Sequence, residues 1–364
     1  MSDTASPSPT PPRPAGRAKP RQSDIARAAG VSQATVSLVL RGAATGVVLA
    51  PETRRRVLSA AEELGYVPDP VATRLAAARN GMLGLYTFST TFPTDVAHSY
   101  YPVLVGVEEE AAAQGQDLIL FTGASRAADP TSDAAAVRRV RAADGCLFFG
   151  RHVPRDPIRR LSEDGFPFVY IGRREEPGIS YVGADYVSAS AEVAARLAAL
   201  GHRRVRYLRE NDDAPASTDR ERGVADGARG SGLETDGLVE RTDGGDVEAR
   251  LARWRDEGVT AVITEETDTG AALSGLTAAV ARAGLSCPGD LSLALLGTPA
   301  AAPAAPVPGL AGAISGFGVP MREMGRAAVR LLLDLIEGGP APRSHLLACE
   351  PVAGATIGPP HPGR

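Results

Sequence analysis

Apolar residues first recur at helical spacing near the N-terminus, with Ile25 and Ala29 in one short segment and Val36 and Leu40 in the next. Positions three and four apart share a helix face, so these four can pack together and leave Gln33, Ala34, Ser37 and Leu38 facing outward. Ser23 and Ser32 are the expected N-caps, and Gly30 the stop of the first helix. A third helix is expected over 51–64, opened by Pro51 and covering the pair with Val57, Leu58, Ala61 and Leu64. Two short helices joined by a glycine turn and closed by a third make a small all-α helix-turn-helix head.

The segment 69–81 can form about two helical turns, but its apolar face is too small to hold a helix unaided. It is expected to fold only against a partner. From Met82 onward short apolar runs alternate with helical stretches, the pattern of parallel α/β units. Strands are expected at 83–88, 117–121, 145–149, 168–171, 181–183, 205–208, 261–264 and 291–296. Helices are expected at 103–114, 189–200, 249–257, 270–283 and 321–336. So many strands exceed one compact sheet, and two doubly wound parallel-sheet subdomains facing a cleft fit better. The chain is expected to cross between them near Leu200 and Leu310. The resulting plan is a disordered tail over 1–20, a head over 21–67, a hinge helix or linker over 68–81 and a core over 82–364. Within the core, one subdomain takes about 82–199 and 311–342, the other about 200–310 and 343–358.

Composition narrows the function. Residues 1–80 carry 11 Lys and Arg against 6 Asp and Glu, whereas the remainder has 28 against 37. A basic head on an acidic body suggests a polyanion partner for the head alone. No apolar run approaches the roughly 18 residues of a membrane span, and the proline-rich start lacks the apolar core of a secretory signal. A cytoplasmic location with no membrane partner is expected. Cys146, Cys287 and Cys349 are widely spaced and odd in number, which suggests buried thiols and no metal site. Phosphate-loop, dinucleotide, HExxH and GxSxG motifs are missing and the five histidines are scattered, so neither catalysis nor a cofactor is expected.

The run from Asp24 to Ser37, DIARAAGVSQATVS, followed by Thr53-Arg54-Arg55-Arg56-Val57 and Leu64-Gly65-Tyr66-Val67-Pro68, closely resembles the lactose-repressor (LacI/GalR) family of transcription regulators. The resemblance continues through Ala199-Leu200-Gly201-His202-Arg203-Arg204-Val205, Arg220-Glu221-Arg222-Gly223 and Pro288-Gly289-Asp290-Leu291-Ser292-Leu293. It implies a homodimer with paired DNA-binding heads, a hinge helix and a core of periplasmic-binding-protein type that takes a small-molecule effector. The partner is then a palindromic double-stranded operator, and repression under allosteric control is the expected outcome. The alternatives are a solute-binding protein of the same core fold, which would lack such a head, and a regulator without an effector.

A recognition helix in the major groove touches base edges with outward residues near its N-terminus. Gln33, Ala34, Ser37 and Leu38 are therefore the candidate base readers, with Gln33 suited to adenine and Ala34 and Leu38 to a thymine methyl. Many relatives carry Arg where Leu38 stands, which predicts an altered operator. Ser32, Thr35, Arg41 and Thr53 are the candidate phosphate contacts. By resemblance, Leu75 matches the hinge leucine wedged into the minor groove, with Ala72 beside it.

For the effector, the resemblance singles out Arg220 in its Arg-x-x-Gly pattern and Asp185 at a family Asp-Asn site where Tyr186 replaces the Asn. Phe88 and Tyr101 are candidate stacking surfaces. Sugar-sensing relatives show Asn-Asp where this chain has Glu265-Glu266, which makes Glu266 the candidate polar contact there. They show an Asp after the next strand where it has Gly297-Thr298-Pro299. With two sugar anchors replaced, the expected effector is something other than an ordinary neutral sugar, or none. The stretch 299–308 is expected to be an irregular rim loop.

Overall fold

The computed structural model describes residues 20–40, 49–66, 79–87, 100–121, 137–150, 155–298, 307–310 and 312–361. Arg41, Ala72, Leu75 and Phe88, the tail up to residue 19, most of the hinge segment and most of the 299–308 loop lie outside the described residues. The chain divides into two compact units, Met1–Asn80 and Gly81–Arg364.

The first unit is built from α1 (Gln22–Ala29), α2 (Gln33–Leu40) and α3 (Pro51–Glu63). Ser23 is not the N-cap of α1. Arg21 holds that place, and the Asp24 carboxylate accepts from its backbone N–H at 2.9 Å. Gly30 ends the helix in the left-handed conformation, φ 64°. Ser32 does cap α2, its hydroxyl accepting from the Thr35 N–H at 3.1 Å. Ile25, Ala29, Val36, Val39, Val57, Ala60 and Ala61 form the buried centre. Leu58 and Leu64, expected to cover the helix pair, are 45% and 39% exposed. Leu58 lies about 100° around the helix from Val57, and Leu64 falls in the terminal turn, so Val57 and Ala61, as expected, cover the pair together with Ala60.

The second unit carries two six-stranded sheets. The first contains β1 (Met82–Thr87), β2 (Asp117–Phe121), β3 (Gly145–Phe149), β4 (Phe168–Ile171), β5 (Tyr181–Ala184) and β11 (Ser344–Leu347), in the order β11-β5-β4-β3-β1-β2 and parallel throughout. The second contains β6 (Val205–Glu210), β7 (Val239–Thr242), β8 (Ala261–Glu265), β9 (Ser292–Leu296), β10 (Ser315–Gly318) and β12 (Glu350–Val352), in the order β12-β10-β9-β8-β6-β7. Only β12 runs antiparallel to its neighbour among the described strands. Burial on both faces explains why the central strands read as continuous apolar runs, as in Gly145–Phe149 and Ser292–Leu296, buried at every position.

Helices α4 (Tyr101–Ala113), α5 (Arg155–Glu163), α6 (Tyr186–Ala199), α7 (Pro215–Ser231), α8 (Val247–Asp256), α9 (Ala271–Arg282) and α10 (Met321–Ile336) complete the unit. The crossings differ from those expected. Helix α6 packs on α7, so the chain enters the second subdomain at Asp185 rather than near Leu200. Strand β10 pairs with β9, so it stays in the second sheet and the return begins at Val319, not near Leu310. Strand β11 pairs with β5 in the first sheet, so the last crossing falls between Leu347 and Glu350 rather than at 343. The sequence SGFG of β10 has one large apolar side chain, too little to signal a strand. Among the described residues, no helix is long and apolar enough to cross a membrane.

Helices α4 and α10 approach through glycines. A Cβ on Gly106 would stand 1.9 Å from the Arg322 carbonyl oxygen, and one on Gly325 2.5 Å from that of Val103. Along the rim of this contact, Glu109 accepts from Arg322 and Arg326, and Arg330 donates to Glu110 at 2.7 Å. Gly→Ala in an exposed helix stabilises by about 1 kcal/mol. Gly106→Ala is expected to do the reverse, lowering stability by about 1–3 kcal/mol through overpacking, read as a lower denaturant midpoint at unchanged slope.

Candidate functional site

The head presents one side of α2 to solvent. Gln33 and Ala34 are exposed, Ser37 and Leu38 half-buried, and Val36 and Val39 turn inward. Among the described residues, Leu38 is not one of those packed against the buried centre. Ser32 and Thr35 lie at the start of the same helix with their hydroxyl oxygens 2.9 Å apart, and Thr53 is half-buried in the first turn of α3. Arg54, Arg55 and Arg56 are exposed along α3. The α2 N-terminus therefore offers small polar groups and an exposed amide on a rigid three-helix support, suited to entering a groove.

In the second unit a cleft opens at the carboxyl ends of strands from both sheets, where ligands collect in doubly wound folds. It holds about 850 Å³ of empty space, its open mouth included. The first subdomain contributes Gly150 after β3 and Gly172, Arg173 and Arg174 after β4. The second contributes Arg220 from α7, Tyr186 from α6, and Glu266, Thr267 and Asp268 after β8. Of the residues expected to bind effector, Arg220 and Glu266 line this cleft. Tyr101 and Asp185 are not among its lining residues. Tyr100 takes the aromatic place, its ring 5.7 Å from Phe149. Asp185 instead caps α6, accepting from the Ser188 N–H at 3.0 Å.

The cleft floor in the second subdomain is a buried charge network. The Glu265 carboxylate is fully buried and lies 3.4 Å from Arg220 and 3.9 Å from Arg209, itself fully buried. The Tyr207 hydroxyl donates to the same carboxylate at 3.1 Å, and burial pushes its pKa far above the ordinary range, keeping it a donor. Arg209 also donates to Glu221. The Arg220 guanidinium stacks on the Tyr186 ring, 4.3 Å from its centroid, and donates to the Glu266 carbonyl at 3.3 Å. Glu210, at the end of β6, anchors the neighbouring loop by accepting from the Thr267 hydroxyl at 2.6 Å, from the Thr269 hydroxyl, and from the Ala272 N–H at 3.2 Å. Among the described residues, one ion pair bridges the subdomains: Arg173 donates to Asp219, which is buried on α7. Signals for Glu210 and Asp219 were absent from the sequence because their partners lie 57 and 46 positions away.

Residues 23–69 match the model of "Bacterial regulatory proteins, lacI family", and residues 194–357 that of the "Periplasmic binding protein-like domain". The HTH-type transcriptional regulator CelR of Thermobifida fusca is 28% identical over 88% of this chain and 93% of its own length. The chain belongs to the LacI family of transcriptional regulators. A regulator encoded beside aml in Streptomyces limosus is 37% identical over 53% of this chain and 54% of its own length. Among solved structures, a CelR–cellobiose complex covers 93% of this chain and 100% of its own at TM-score 0.62 and 24% identity. A lac repressor dimer bound to operator and an anti-inducer covers 93% and 99% at TM-score 0.69 and 20% identity. These likenesses carry the fold. The helix-turn-helix head and the two-subdomain core are thus those of a LacI-family DNA-binding regulator.

Cys146 and Cys287 are buried free thiols and Cys349 is half-buried, with burial raising the latter two to about 11 and about 12. Among the described residues, no group of three His, Cys, Asp or Glu side chains could hold a metal ion. Removing one partner from a buried charge network costs about 3–5 kcal/mol. Glu265→Gln, which removes the carboxylate charge facing Arg220 and Arg209, is expected to lose stability in that range on chemical denaturation, while a loss below about 0.5 kcal/mol would show that the network carries no weight.

Proposed function

We propose that this LacI-family chain is a repressor that binds a palindromic operator as a homodimer in the cytoplasm, under control of a small molecule held in the core cleft. The observation that carries this reading is the exposed Gln33–Ala34 edge of α2 on a fully packed three-helix support. Gln33, Ala34, Ser37 and Leu38 then read base edges, and Ser32, Thr35, Arg41 and Thr53 set the register on phosphates. Ala72 and Leu75, by family resemblance, enter the minor groove at the operator centre. Two heads on a two-fold axis require two inverted half-sites.

The solved relatives support the control arm of this proposal: one is titled a complex with cellobiose, another is bound to operator together with an anti-inducer. A ligand that favours one closure of the two subdomains shifts the population of the DNA-binding form by its differential affinity. The Arg173–Asp219 pair spans the moving boundary, so it must reform or break in any such closure. Edge strand β2 supports self-association in the first sheet, since it ends the sheet with Leu120 42% exposed.

Genomic fragments captured by the purified protein at two salt concentrations test the proposal. The expected result is one enriched palindromic motif, with total binding falling as salt rises because phosphate contacts release counterions. Leu38→Arg is expected to change the preferred base at one position per half-site, and Leu75→Ala to weaken operator binding at least tenfold. Salt-sensitive capture without any motif would overturn the reading.

A further inference from the structure

Three arginines line the cleft, and their charges are compensated unequally. Arg173 is paired with Asp219 and, at 3.0 Å, with Glu175. Arg220 is paired with Glu265. Arg174, only 9% exposed, has no carboxylate within salt-bridge distance among the described residues. Its guanidinium lies 3.7 Å from the centroid of the buried Tyr170 ring and donates through Nη2 to the Gly150 carbonyl at 2.8 Å. The Tyr170 hydroxyl donates to the same carbonyl, which locks the stack. The Nε–H is buried with no hydrogen-bond partner.

A buried cation costs several kcal/mol unless an opposite charge offsets it, and a buried N–H without an acceptor adds to that cost. The Tyr170 face and one carbonyl offset part of it. Neither supplies a negative charge. The guanidinium is held by its stack and by one hydrogen bond at the wall of a ligand-sized cleft, so it is pre-positioned to accept an anion. We infer that the effector of this chain is a carbohydrate-sized molecule bearing a carboxylate or phosphate, with Arg174 as its anchor. Across the cleft, Glu266 and Asp268 oppose a second negative group there and suit hydroxyls. The anionic end therefore points to the first subdomain and the hydroxylated end to the second. This inference rests on the effector reading above.

The test is isothermal calorimetry on the full-length protein with matched probes: glucose and galactose, their uronates, and their 6-phosphates. A uronate or a phosphate is expected to bind while its neutral parent does not, and which of the two binds identifies the anionic group. Arg174→Gln is expected to weaken that binding by on the order of tenfold or more. Arg174→Lys, which keeps the charge, is expected to retain the preference for the anion at reduced affinity, and serves should the Gln variant fold poorly. Neutral sugars binding as well as the anions, or unchanged anion affinity in Arg174→Gln, would overturn the inference and leave the effector reading standing. No binding by any probe, neutral or charged, would count against both.

Discussion

Glu265 ends β8 with its carboxylate beneath the cleft, out of contact with water, between two arginines from different elements. Arg209 comes from β6 and Arg220 from α7, and both are buried along with the acid that faces them. Such charges are tolerated only in each other's company. The end of β6, the end of β8 and the first turns of α7 are therefore fixed relative to one another. Glu210, one strand residue beyond Arg209, extends the same constraint to the loop carrying Thr267 and to the start of α9. One wall of the cleft is thus rigid before any ligand arrives, and the Arg220 side chain is aimed by its partners and by the Tyr186 ring.

The opposite wall belongs to the first subdomain and is joined to this one by three chain crossings and by the Arg173–Asp219 pair. A rigid wall facing one that can move through three connections is the arrangement in which a small ligand gains leverage over a large body. Within the first subdomain, α4 and α10 are closely packed at Gly106 and Gly325. Under the proposed effector control, ligand energy would then go into closure rather than into local repacking.

Much of the fold was legible in the chain because buried parallel strands are written as uninterrupted apolar runs. Strands β2, β3 and β4 coincide with the runs at 117–121, 145–149 and 168–171. Strands β7, β10, β11 and β12, with sequences VERT, SGFG, SHLL and EPV, were missed. Three of them, β7, β11 and β12, are sheet edges with polar or exposed residues, and hydrophobic pattern is silent there. The two later crossings were misplaced because β10 and β11 mark them, and the first because helix α6 packs on α7 rather than on the first sheet. In the head, Val57 and Ala61 cover the pair as expected, but Leu58 does not, and Ala60, small and unremarkable in sequence, takes part instead. Within the cleft, Arg220 and Glu266 were reached through family resemblance. Arg174 was not, because its meaning lies in what does not surround it: a missing carboxylate is a property of packing and has no motif.

The central claim is that one chain couples a DNA-reading head to a ligand cleft. Coupling between two binding sites is reciprocal, so a closed thermodynamic cycle tests it most directly. Operator affinity is measured with and without a saturating cleft ligand, and ligand affinity with and without saturating operator. The account predicts that both affinities change by the same factor, about 5–150-fold as in typical allosteric coupling. Operator affinity that stays constant while the cleft fills would contradict it.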